Sequence, residues 1–200
     1  MKKIYSLLAA ALVTGFCASP ASAGQTYISG NIGSSWMNDI KNGDVNYGTN
    51  NGLTALGAIG IREHCYRFEG ELGYQTNSVD TLHGPFGNSN YNGDIETWSV
   101  LANAYYDIST GSGVKPYLTA GAGAARVQFE NLRFPGFGGW SEHDSVFAYQ
   151  LGAGVAIPIS KGVTLDARYR YFSTAEFTLG NGNQSRLSSN SALVGLRFGI

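Results

Sequence analysis

The stretch YRFEGELGYQT, Tyr66 to Thr76, carries the reading of the whole chain. Successive side chains of an extended strand point to opposite faces, so Arg67, Glu69, Glu71, Gly73 and Gln75 share one side while Tyr66, Phe68, Leu72 and Tyr74 share the other. One face is charged and one is apolar. The fold follows from which of the two meets the surroundings.

The same two-residue period recurs along the chain, which is rich in Gly and Tyr, poor in Pro and without a helical repeat. A first strand is expected over Gln25–Trp36, with Ile28, Ile32 and Trp36 opposite Ser29, Asn31 and Ser35. In Gly52–Ile61, Leu53, Ala55, Ile59 and Ile61 alternate with Thr54 and Gly60. The opening stretch is the third strand, and Thr97–Asp107 the fourth, with Trp98, Val100, Ala102, Ala104 and Tyr106 opposite Ser99, Asn103 and Tyr105. The fifth, Lys115–Phe129, is so rich in Gly and Ala that its facing stays open and a bulge is allowed within it. Phe147–Ile157 sets Phe147, Tyr149, Leu151, Val155 and Ile157 against Gln150, Gly152 and Gly154. The seventh sets Val163, Leu165, Ala167, Tyr169 and Tyr171 against Thr164, Asp166, Arg168 and Arg170. The eighth, SALVGLRFGI, sets Ala192, Val194, Leu196, Phe198 and Ile200 against Ser191, Gly195 and Arg197.

The connections alternate in length. Arg62–Cys65, Ile108–Gly113 and Pro158–Gly162 are short, whereas Met37–Asn51, Asn77–Ile95, Glu130–Val146 and Ser173–Ser189 are long and full of Asn, Gly and Ser. Eight antiparallel strands with short turns at one end and four long polar loops at the other make an up-and-down transmembrane β-barrel, its turns periplasmic and its loops extracellular.

A soluble ligand-binding barrel would alternate too, with its apolar face inward. Three features favour the membrane. The polar face carries Arg67, Glu69, Glu71, Asp166, Arg168, Arg170 and Arg197, sparse for an outer surface but suited to an interior of paired charges. On the apolar face, Trp36, Tyr74, Trp98, Phe147, Tyr149, Tyr169 and Tyr171 gather toward the long loops, and Tyr66, Tyr106 and Phe198 toward the short turns, as two interfacial girdles. The sequence also stops within a strand at Phe198-Gly199-Ile200, so the last strand is expected to close against the first.

Residues 1–23 have the three parts of a secretory signal peptide: Lys2 and Lys3, an apolar run from Leu7 to Cys17, and a small-residue exit at Ala21-Ser22-Ala23. That run is shorter than the roughly 20 residues of a spanning helix. Residues 24–200 then form one barrel domain, with 11 basic against 14 acidic residues and a formal charge of −3, which does not suggest nucleic acid as a partner. Cys65 alone makes no intrachain disulfide and reads as a structural thiol near a turn.

With these residues in place, the chain resembles the small outer-membrane barrels of the OmpA/OmpX and opacity-protein type, including surface antigens of Gram-negative pathogens, over residues 24–200. KPYLTAGAGAA, FAYQLGAGVAI and LDARYRYF are similar to the fifth, sixth and seventh strands of that family. GLRFGI resembles the carboxy-terminal signal of the barrel-assembly machinery through Gly195, Phe198 and the terminus, with Ile200 where the pattern usually has Phe. The resemblance implies a monomer in lipid and lipopolysaccharide whose extracellular loops carry the function, as adhesin, surface antigen or small low-conductance pore.

It also raises an enzyme modifying lipid A as a competing reading. Such an enzyme would need a His beside a Ser nucleophile. The three histidines lie in a short turn, His64, and in two long loops, His83 and His143, and Glu142-His143-Asp144-Ser145 are sequence neighbours rather than a triad. No metal-ligand spacing and no phosphate-cradling loop is present in the sequence, so no catalytic residue, metal or cofactor is expected. In the third long loop, NLRFPGFGGW, the residues Leu132, Phe134, Phe137 and Trp140 form a candidate contact surface for a host or extracellular ligand, or for lipopolysaccharide.

Overall fold

The computed structural model describes the backbone of residues 24–37, 40–42, 45–49, 51–84, 87–130, 143–175, 177–178 and 184–200, and the side chains of 24–37, 51–77, 95–127, 145–175 and 186–200. Eight long antiparallel strands follow one another: β1 (Gln25–Met37), β2 (Gly52–Glu63), β3 (Tyr66–Gly84), β4 (Gly87–Asp107), β5 (Lys115–Glu130), β6 (His143–Ser160), β7 (Val163–Thr174) and β8 (Ser188–Gly199). Each pairs with its sequence neighbours, and β1 pairs with β8 from Tyr27↔Gly199 to Met37↔Ser189. The amide of Ile200 adds a bond to Thr26 O at 2.9 Å. Closure removes the free sheet edge that hydrocarbon would not tolerate.

The register fixes the shape. From Ser35 the pairing runs through Ser191, Arg170, Gly152, Thr119, Tyr105, Arg67 and Arg62 back to Gln25, ten residues below its start. A stagger of about 33 Å against about 38 Å of strand spacing tilts the strands by about 40°, within the usual range for such barrels.

The apolar face is outside. Ile32 is 62 % exposed, Leu72 53 % and Val194 57 %, whereas Arg67 is 1 % and Glu71 2 % exposed. Aromatic pairs mark both belts on the wall, Tyr66–Tyr106 at 5.5 Å between ring centres in the lower and Tyr74–Trp98 at 4.8 Å in the upper. Tyr66 and Tyr74 lie eight residues apart on β3. At this tilt that is about 20 Å along the axis, close to the apolar band of an outer membrane. Tyr169 stands below the upper belt rather than in it, and its hydroxyl donates to Asn190 Oδ1 at 2.6 Å. Asn190 is paired with Trp36, so the phenol reaches up to the level of the belt.

The short ends are tight. His64 and Cys65 join β2 to β3 with His64 at φ 55°, and Lys161 and Gly162 join β6 to β7 with Gly162 at φ 79°. The segment 108–114 joins β4 to β5. At the opposite end the strands run further than the sequence pattern placed them. β3 and β4 continue through the expected loop Asn77–Ile95 to a close at Gly84↔Gly87, and a small hairpin, Ile40–Asn42 with Val45–Thr49, adds to β3 through Thr49↔Val79. The residues between Asn77 and Ile95 carry no sustained polar-apolar alternation, so the period that marks a membrane strand is missing there. β5 pairs on both sides without a register shift, so the bulge allowed there is not found; Tyr117, Thr119, Ala125 and Val127 face in and Leu118 faces out. The upper ends of β3 and β6 take in His83 and His143, which the sequence pattern assigned to loops. Residues 1–23 and the loop residues Leu132, Phe134, Phe137 and Trp140 lie outside the described residues.

Inward glycines make room for large neighbours. A Cβ on Gly60 would lie 2.7 Å from the Tyr27 ring, and one on Gly154 would lie 2.5 Å from the Tyr117 ring. Outward Gly57 has nothing within 4 Å. Gly60→Ala should therefore push Tyr27 aside and lower the unfolding free energy in lipid or detergent by about 1–3 kcal/mol. Gly57→Ala should leave it unchanged. Equal urea midpoints for the two variants would contradict this packing.

Candidate functional site

The barrel interior gathers the charges that alternate along the strands. β3 supplies Arg67, Glu69 and Glu71, β7 supplies Asp166, Arg168 and Arg170, and β8 supplies Arg197. Asp107, the last residue of β4, completes the set and was not singled out from sequence. Among the described residues this makes four buried arginines, Arg67, Arg168, Arg170 and Arg197, against four buried carboxylates, Glu69, Glu71, Asp107 and Asp166. These buried charges balance at the level of formal charge, and the half-buried Arg62 lies 3.8 Å from Asp107 Oδ2 at their lower edge.

Three ion-pair groups are formed. Low in the barrel, Arg67 Nε donates to Asp107 Oδ1 at 3.0 Å and Oδ2 at 3.1 Å, and its Nη1 lies 3.5 Å from Glu69 Oε1. The Arg67 guanidinium stacks on Tyr105 at 4.2 Å and Tyr117 at 4.8 Å, and Tyr27 donates to Glu69 Oε1 at 2.7 Å. A second group joins Arg197 Nη2 to Asp166 Oδ2 at 2.7 Å, with the Tyr117 hydroxyl donating to the other Asp166 oxygen. The third crosses the lumen. Strands β3 and β7 stand on opposite walls, four strands apart either way round, and Arg168 Nη2 donates to Glu71 Oε2 at 3.2 Å while its Nη1 donates to Tyr105 Oη at 2.6 Å.

Arg170 has no direct carboxylate contact within this set. Its Nε donates to Gln150 Oε1, its guanidinium lies 4.7 Å from the Phe172 ring, and Gln150 Nε2 donates to Glu71 Oε1 at 3.1 Å and Asn103 Oδ1 at 2.6 Å. Gln150 thus relays the Glu71 charge to Arg170. Amide and phenol partners of this kind offset the desolvation that makes a bare buried ion pair costly.

Above the charges the lumen is differently built. Gln75, Asn77, Ser35 and Ser189 form a polar chain, with Ser189 donating to Gln75 at 3.1 Å and Gln75 to Asn77 at 2.8 Å. Beside it Met37, Ile95, Leu101, Val127, Phe172 and Leu187 form a buried apolar cluster. Leu187 is anchored just before β8, its amide accepted by Thr174 Oγ1 at 3.1 Å and its carbonyl taken by the Thr174 amide at 2.9 Å. Neither this layer nor the interior tyrosines Tyr27, Tyr105 and Tyr117 were recognised as packing features from sequence. An inward Met or Val at a strand end breaks the alternation without announcing a direction.

The other residues singled out from sequence are dispersed. Gly195 faces inward, where a Cβ would come within 2.4 Å of Asn31 Oδ1, while Phe198 and Ile200 face outward at the lower rim. His64 occupies the β2–β3 turn and Cys65 beside it is a free thiol. No group of three or more His, Cys, Asp or Glu fit to hold a metal occurs among the described residues.

Comparison with known proteins agrees with this architecture. The model of the outer membrane protein beta-barrel domain matches residues 8–198. Outer membrane protein PagN of Salmonella typhimurium is 23 % identical over 99 % of this chain and 99 % of its own length. The crystal structure of Neisserial surface protein A superposes with a TM-score of 0.63 at 22 % identity, covering 88 % of this chain and 97 % of that one. Outer membrane protein OprG of Pseudomonas aeruginosa gives 0.60 at 14 % identity, covering 89 % and 96 %.

The cross-lumen pair sets a quantitative expectation. Arg168→Met leaves Glu71 buried without its cation and should cost about 3–5 kcal/mol of unfolding free energy. Adding Glu71→Leu should recover most of that loss, because the uncompensated charge goes with it. Urea titrations of the refolded variants measure both steps. Additive losses in the double variant would show that the two side chains do not act as a pair.

Proposed function

The chain belongs to the outer membrane protein beta-barrel family and lies in the bacterial outer membrane, and we propose that within this family it is a monomeric, wall-like barrel acting through its extracellular loops as an adhesin or surface antigen. The observation that carries this reading is the filled lumen. One ion pair, Arg168–Glu71, crosses it from wall to wall, and an apolar cluster lies above the charges toward the long-loop end. With the interior committed to packing, contact with other molecules falls to the outer wall and the loop end. The outer wall meets lipid and, in the outer leaflet, lipopolysaccharide. The loop end meets the environment of the cell.

At that end β3 and β4 extend beyond the upper aromatic belt as a continuous hairpin, with the Ile40–Asn42 and Val45–Thr49 hairpin laid against it. Among the described residues this gives the extracellular side a paired-strand frame built from the first two connections. The sequence NLRFPGFGGW follows directly on β5 and supplies aromatic side chains of the kind that anchor protein interfaces. A host or extracellular ligand is the partner this arrangement fits. A catalytic role in lipid A modification draws no support from the placement of the histidines, with His64 at the short-turn end and His83 and His143 at the other. Export through a signal peptide at 1–23 and delivery by the barrel-assembly machinery through Gly195, Phe198 and Ile200 belong to the same proposal.

Cells displaying Phe137→Ser/Trp140→Ser should lose at least half of their attachment to host cells or extracellular matrix while the barrel keeps its heat-modifiable gel mobility. Attachment equal to that of the parent chain would refute the loop assignment.

A further inference from the structure

Between the three ion-pair groups lies a small internal cavity of about 10 Å³, bordered by Ser29 and Asn31 of β1, Arg67 and Glu69 of β3, and Asp166 and Arg168 of β7, among others. A space of this size admits about one water molecule. Several atoms of its lining have unused hydrogen-bonding capacity. Among the described residues, Ser29 Oγ, Asn31 Oδ1 and Arg168 Nε are buried without a hydrogen-bond partner. Arg67 Nη2 touches Asp107 Oδ1 at 2.9 Å as an ion pair but makes no aligned hydrogen bond. Orphaned polar atoms in a low-dielectric interior are costly, and three of them, with the misaligned Arg67 Nη2, belong to residues that line one cavity and call for a common partner.

We propose that this cavity is a binding site for a single water molecule, held by Ser29, Asn31, Arg67 and Arg168, which joins the separate ion pairs into one network. The donors and acceptors balance. The water accepts from Arg67 Nη2 and Arg168 Nε and donates to Asn31 Oδ1 and Ser29 Oγ, which uses all four of its positions. An anion is disfavoured because it could not donate to Asn31 Oδ1, while Glu69 and Asp166 already stand among the Arg67, Arg168 and Arg197 guanidiniums on the same lining. Gly195 secures the geometry from β8, since a Cβ there would fall 2.4 Å from Asn31 Oδ1 and displace the amide. One isolated water is a bridge and not a file, so this site adds cohesion to the lumen without opening a path through it.

The test is a crystal structure of the full chain grown in sodium chloride, with a second crystal exchanged into sodium bromide. The expected result is a solvent peak within hydrogen-bond distance of Asn31 Oδ1 and Arg168 Nε, with no bromide anomalous signal on it. A dry cavity, or a bromide peak at that position, would overturn the proposal. Asn31→Leu should remove the peak and shift the urea midpoint downward, whereas Asn31→Ser should keep the peak and most of the midpoint. A midpoint unmoved by Asn31→Leu would overturn the bridging role.

Discussion

Hydrocarbon offers no hydrogen bonds, so every backbone amide and carbonyl crossing it must find a partner in the protein itself. The rest of this structure depends on that constraint. It forces the sheet to close, and β1 meets β8 along eleven register pairs, with Ile200 adding a final bond to Thr26. Closure on eight strands with a ten-residue stagger leaves a lumen that side chains can fill. The inward side chains are then in a low-dielectric space of fixed width, and their sizes and charges must match one another across it. Gly60 beneath Tyr27 and Gly154 beneath Tyr117 are the steric side of that match.

The electrostatic side is the balance of four arginines and four carboxylates. Buried ion pairs are weak sources of net stability, since desolvation can exceed the attraction gained. Their value here is geometric. Arg168 and Glu71 come from opposite walls, so their bond ties β7 to β3 across the axis, and Tyr105 shares the same guanidinium. Tyr27 and Tyr117 add ties from β1 and β5. A barrel wall built mainly from neighbour-to-neighbour strand pairing thus acquires rigid spokes. The lipid face needs no such specificity, and its Ile, Leu and Val are held by solvent preference alone.

Much of this was legible in the sequence, because the strongest signal coincided with the strongest constraint. Arg67, Glu69 and Glu71 alternating with Phe68 and Leu72 can serve only a strand with two different surroundings, and the three short turns gave the sidedness. Legibility failed where the alternation stops. Beyond Asn77 the sequence of β3 and β4 is dominated by Ser, Asp, Asn and Gly without a sustained two-residue period, so the hairpin reads as loop although its strands pair up to Gly84↔Gly87. In β5 Gly and Ala occupy both faces, and only the paired neighbours place Tyr117 inside and Leu118 outside. Asp107 closes the charge balance from a strand end, where neither periodicity nor composition marks it. The apolar cluster around Phe172 and Leu187 breaks the rule that the inner face is polar, and nothing short of the closed geometry shows that those side chains meet.

If the lumen is filled by packing, function resides outside it. Single-channel recording of the refolded chain in planar lipid bilayers tests this most directly. A packed interior predicts a quiet membrane, with no steady conductance steps across the physiological voltage range. Regular, long-lived steps of uniform size from the same preparation would contradict it and return the function to the interior.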